Sequence, residues 1–86
     1  MTFEAFVEVR KHPGIADPEG ATIERALPTL GFTGVSGVSV GKAFRLTVEA
    51  DDLDAARTTL QALADRVLAN PVLEEVRISV TEVAPA

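Results

Sequence analysis

The chain has 86 residues and a mass of 9.1 kDa, enough for one domain and no second. Its 13 acids and 8 bases give a formal charge of 8 − 13 = −5, the wrong sign for neutralising nucleic-acid phosphates or settling on an anionic membrane. It has no Cys, Tyr or Trp, so disulfides, thiolate metal sites and thiol catalysis are excluded, and the composition fits a cytoplasmic protein with no membrane partner.

Residues 3–10 alternate as a strand, with Phe3, Ala5, Val7 and Val9 on one face and Glu4, Phe6, Glu8 and Arg10 on the other. Phe6 is apolar among charges. Lys11-His12-Pro13-Gly14 stops the strand, because Pro cannot donate to a ladder. Asp17-Pro18 starts a helix: Asp caps free N–H groups and Pro suits the first helical position. Ile23, Ala26, Leu27 and Leu30 follow at helical spacing up to Gly31, with Pro28 predicting a kink or an early end near Arg25. Residues 35–49 read as a hairpin, Val38 and Val40 on one arm, Phe44, Leu46 and Val48 on the other, and Gly41-Lys42 at the turn. Asp51-Asp52 cap a second helix over 53–69, whose predicted inner stripe is Leu53, Ala56, Leu60, Leu63, Ala64 and Val67. Residues 73–83 alternate again, with Val76, Ile78 and Val80 inward.

The order β-α-β-β-α-β predicts an α+β, ferredoxin-like fold: a four-stranded antiparallel sheet with two helices on one face. Residues 1–83 form the domain and 84–86 a tail. The uncovered face would carry Glu4, Phe6, Glu8, Arg10, Arg45, Thr47, Glu49, Arg77 and Ser79. Surface scaling for this mass gives about 4,900 Å² folded against about 13,000 Å² unfolded. Burial then contributes about 125 kcal/mol, against about 130 kcal/mol for ordering the chain. A small domain so balanced gains from self-association, so a homodimer or larger oligomer is expected, with Phe6 as an anchor.

Little in the chain resembles an active site. His12 is the only histidine and stands at a strand end, where a solvated loop residue is the plain reading. Asp51, Asp52 and Asp54 match helix capping better than a cation site. Gly34 to Lys42 is glycine-rich, but no Ser or Thr follows Lys42 and a strand comes next, so it is no phosphate loop. Strand 43–48 offers no outward aromatic for reading RNA. No catalytic, cofactor or metal residue is assigned. Lys42, at a predicted turn, and Arg45 and Arg77, on the uncovered face, are the candidate contacts with a partner protein.

Three blocks in order carry a resemblance: Gly14-Ile15-Ala16-Asp17-Pro18-Glu19-Gly20 running on to Leu30-Gly31-Phe32, then Val38-Ser39-Val40-Gly41-Lys42, then Leu68-Ala69-Asn70-Pro71-Val72-Leu73-Glu74. Together they resemble the small subunit of bacterial and archaeal phosphoribosylformylglycinamidine synthase, with Ser39 where that family usually has Arg. The resemblance implies a subunit of an ATP-dependent glutamine amidotransferase in purine biosynthesis. It implies a chain with no catalytic residues of its own, which bridges a glutaminase subunit and a synthetase subunit and assists ammonia transfer. The complex would use ATP, magnesium and glutamine, none bound by this chain. The alternative is an ACT-like dimeric module that binds a small regulatory molecule, suggested by the strand–Pro-Gly entry at His12-Pro13-Gly14.

Overall fold

Alternating apolar residues make β1 (Thr2–Lys11) the centre of the sheet, with Phe3, Val7 and Val9 almost fully buried. The computed structural model describes residues 1–83; the expected tail at 84–86 lies outside the described residues. β2 (Lys42–Glu49) and β3 (Glu74–Glu82) flank β1, both antiparallel to it, in the order β2-β1-β3. Register sets Phe6 opposite Arg45 and Ser79, and Val7 opposite Phe44 and Ile78. Apolar side chains therefore share one face across all three strands, as period-2 geometry requires.

That face is covered by α2 (Leu53–Leu63), which Asp52 caps by accepting from the Ala55 N–H at 2.7 Å. Ala56, Leu60 and Ala64 are buried against the sheet as expected. The stripe then departs from expectation. Residues Ala64–Leu68 form a π-helical turn, closed by the Ala69 N–H on the Ala64 carbonyl at 2.9 Å. The wider i→i+5 turn rotates Val67 outward, to 71% exposure, and brings Leu68 and Ala69 onto the core instead.

The expected four-stranded sheet and pair of helices on one face are corrected, among the described residues, to three strands and a single covering helix. Residues 33–41 do not join the ladder, so Lys42 opens β2 instead of standing at a hairpin tip. Their N–H groups are taken by carboxylates: Val38 donates to Glu24 Oε1 and Val40 to Asp17 Oδ2, each at 2.8 Å. α1 (Pro18–Ala26) packs on this segment and makes no extensive contact with the sheet. Its end fits the expectation at Pro28. Leu27–Leu30 form one tighter turn, closed by Phe32 N–H to the Leu27 carbonyl and Gly31 N–H to the Pro28 carbonyl, with Gly31 at φ 91°. This is the Schellman pattern, in which a left-handed glycine lets the chain leave the helix.

α1 and the segment after it thus form an arm, residues 12–41, that leaves the sheet where β1 ends and returns where β2 begins. The molecule is drawn out to 51 × 32 × 15 Å with a radius of gyration of 16.8 Å. A globular chain of this length has about 12 Å. Its accessible surface of 6176 Å² likewise exceeds the about 4,900 Å² expected for the mass.

Candidate partner interface

The uncovered sheet face carries most of the candidate contacts. Phe6 is half-buried at its middle, and the Arg45 guanidinium lies 5.8 Å from the ring centroid, within cation–π range. Glu4, Thr47, Ser79 and Thr81 complete a shallow hollow of about 520 Å³ around them. Arg77 is exposed on the same face, opposite Glu8. Lys42 is not with them. Its register partner is Val9, whose side chain points to the α2 face, whereas Arg45 pairs with Phe6. Lys42 and Arg45, three residues apart in the chain, therefore lie on opposite faces of the sheet.

His12 is a tether. Its backbone N–H donates to the Leu73 carbonyl at 3.0 Å, and its ring Nε2 lies 3.0 Å from the Pro71 carbonyl oxygen. Ring Nδ1 is 3.9 Å from Glu75, which also accepts from Arg10 Nε at 2.8 Å. These contacts pin the turn at Asn70–Leu73 to the end of β1, and Asn70 Oδ1 closes the turn by accepting from Val72 N–H.

The arm has its own polar scaffold, which sequence reasoning identified only in part. Asp17 was legible as a helix cap and does accept from Gly20 N–H at 3.1 Å. Its second oxygen also holds Val40, 23 residues on. The Val40 N–H, then the Gly20 N–H, and more weakly Lys11, hold the Asp17 carboxyl below its ordinary value of 3.8. Gly20 was not singled out. A Cβ there would stand 2.5 Å from the Val38 carbonyl oxygen, so only glycine lets helix and segment meet this closely. The available signal was a glycine inside a helical pattern, which usually has a packing reason. Outside this scaffold the arm exposes Ile15, Ile23, Leu30, Phe32 and Val35, with Leu30 at 68% and Phe32 at 58%.

These surfaces combine exposed apolar side chains with cations, a composition suited to protein contact. Among the described residues no three His, Asp or Glu side chains converge to hold a cation, and no helix is long and apolar enough to cross a membrane. The sequence profile of PurS, described as phosphoribosylformylglycinamidine (FGAM) synthase, matches residues 4–82. The chain belongs to the PurS family. It is 36% identical to the PurS subunit of Archaeoglobus fulgidus over 91% of this chain and 95% of that one. The crystal structure of Methanocaldococcus jannaschii PurS, a subunit of formylglycinamide ribonucleotide amidotransferase in purine biosynthesis, superposes with a TM-score of 0.84 at 29% identity, covering 95% of this chain and 99% of that chain. The PurLQS structure from Thermotoga maritima contains a chain that matches with a TM-score of 0.87 at 30% identity, covering 94% and 99%. The function is that of the PurS subunit of FGAM synthase in purine biosynthesis.

Proposed function

We propose that this subunit is a non-catalytic bridge, self-associated as a homodimer or larger oligomer. It would hold a glutaminase subunit and an ATP-dependent synthetase subunit together so that ammonia passes between them. The observation that carries the reading is the separation of two contact surfaces on so small a chain. The uncovered sheet face presents Phe6, Arg45 and Arg77, while the arm, residues 12–41, presents Leu30, Phe32 and Val35 outside the sheet. Two independent surfaces are what a connector needs. The PurLQS assembly of the Thermotoga maritima neighbour supports the reading by placing a PurS chain among other subunits. An ACT-like sensor gains nothing from the fold, since α1 starts at Pro18 under its own Asp17 cap and not directly after Gly14.

Reconstitution tests the bridge. The glutaminase and synthetase subunits are assayed with and without this protein, using glutamine and then ammonium as the nitrogen source. Glutamine-dependent turnover should require it, while ammonium-dependent turnover by the synthetase should not. Full glutamine-dependent turnover in its absence would refute bridging.

A further inference from the structure

The end of α2 displays apolar side chains that the chain does not use itself. Leu60 and Ala64 lie fully buried on the sheet, and an α-helix continued past them would add Val67 to the same stripe. The π turn over Ala64–Leu68 breaks that spacing, so that Leu68 packs on the core in its place and Val67 is left 71% exposed. Single π turns are rare inside helices and occur mostly at functional sites. The connection that follows exposes Val72 to 80%. Even as fully extended chain, the steps from Val67 to Val72 would span only about 18 Å, and a turn lies between them.

This tip is held in place. The His12 N–H donates to the Leu73 carbonyl, and the Asn70 carbonyl accepts from the Leu73 and Glu74 N–H groups at 3.0 and 2.7 Å. The Asn70 N–H donates to Glu74 Oε1 at 2.9 Å. A turn whose backbone groups are already paired loses little freedom on binding. Its charge is one-sided. Asp65 accepts from Gln61, Glu74 holds Asn70 and Glu75 pairs with Arg10, whereas exposed Arg66 meets no carboxylate among the described residues.

We infer that this tip, Val67 and Val72 beside Arg66, seats in an aliphatic pocket rimmed by a carboxylate on a different subunit of the complex. This rests on the reading that the chain bridges other subunits, and it names the side chains that enter one of them. A second copy is a poor complement. A two-fold contact of tip with tip would set Arg66 against its own counterpart. Nor does the chain offer a matching pocket: the hollow around Phe6 carries Arg45 and three hydroxyls, that beside α2 carries Arg57 and Gln61, and that before β2 carries Glu8 and Arg10.

The wild-type chain and the variants Val67→Glu, Val72→Thr and Arg66→Glu are titrated against the separate synthetase and glutaminase subunits at two ionic strengths. Both valines are exposed, so circular dichroism and sedimentation of their variants should match the wild type. Val67→Glu should weaken binding to one of the two subunits about tenfold, and Val72→Thr, which adds only a hydroxyl, about threefold. Arg66→Glu should slow association with that same subunit, most at low salt. Wild-type affinity of Val67→Glu and Val72→Thr for both subunits would overturn the tip contact and leave bridging standing. Binding of the wild type to neither subunit would overturn both. Weaker self-association of Val67→Glu with partner binding unchanged would assign the tip to a second copy, and the inference would fail.

Discussion

Replacing Gly20 by Ala sets helix propensity against packing. In an exposed helix interior the change is favourable by about 1 kcal/mol, because Ala restricts the unfolded chain and suits the helical backbone. Here the new methyl would meet the Val38 carbonyl oxygen at 2.5 Å and the Asp17 carboxylate at 2.6 Å. Relief can come in two ways. The helix can stay and accept overpacking, at about 2 kcal/mol. Alternatively, residues 38–40 can swing out and lose the Val38–Glu24 and Val40–Asp17 bonds, at about 1 kcal/mol each. Either route costs about 2 kcal/mol, so after the propensity gain the arm is destabilised by about 1 kcal/mol. Since α1 makes no extensive contact with the sheet, the loss is local. It should raise amide hydrogen exchange at Val38 and Val40 about fivefold and leave β1 amides unchanged. Ala21→Gly, on the exposed side of the same helix, is the control and should follow propensity alone. Slower exchange at Val38 and Val40 in Gly20→Ala would refute the close-approach argument.

The Asp17 carboxylate predicts a pH response with a definite sign: its folded value lies below 3.8, so its contribution is complete above that pH and is lost as pH falls through the lower folded value. Acid should therefore free the Val40 amide, measured by exchange or chemical shift, and Asp17→Asn should reduce that response. Leu60→Ala removes a fully buried side chain and should cost 2 to 5 kcal/mol on the scale of about 3 kcal/mol typical of such cavities, read from denaturant unfolding. Arg45→Ala should cost the isolated chain no more than about 1 kcal/mol, as expected for an exposed cation–π pair. Because Lys42 and Arg45 face opposite ways, Lys42→Glu and Arg45→Glu should impair different contacts. Association with the synthetase subunit at two ionic strengths should show a salt-sensitive loss for one of them and not both.

Much of this architecture was readable because local chemistry and tertiary packing agreed. The alternation from Phe3 to Val9 survives unchanged as the core of β1, and Asp17-Pro18 and Asp52 start helices where their capping chemistry says they should. The misreadings come from interactions without a short-range pattern. Val38 and Val40 alternate like strand residues, but their N–H groups go to carboxylates 14 and 23 residues earlier and not to a neighbouring strand. Val67 fits an α-helical stripe until a π turn changes the period by one residue. At the candidate interface, Phe6 and Arg45 were legible as residues of one face, since strand alternation settles it. The separation of Lys42 from Arg45 follows from the same alternation once Lys42 is known to lie within the strand. His12 lacked any such cue, because its partners Pro71, Leu73 and Glu75 are brought to it only by the pairing of β1 with β3.

β1 and β2 are consecutive and antiparallel, so the arm is in topological terms a hairpin loop of 41 − 11 = 30 residues. Chain-closure entropy grows with the logarithm of loop length, so joining these strands through 30 residues instead of two costs about 2 kcal/mol more. The nearest pairing in sequence is thereby made slow to form. Trimming the arm to a two-residue Asn-Gly turn should give a faster-folding and more stable single chain. That shortened chain would have lost the exposed apolar residues Ile23, Leu30, Phe32 and Val35, so the length of this loop sets the ease of closing the sheet against the apolar surface the chain displays.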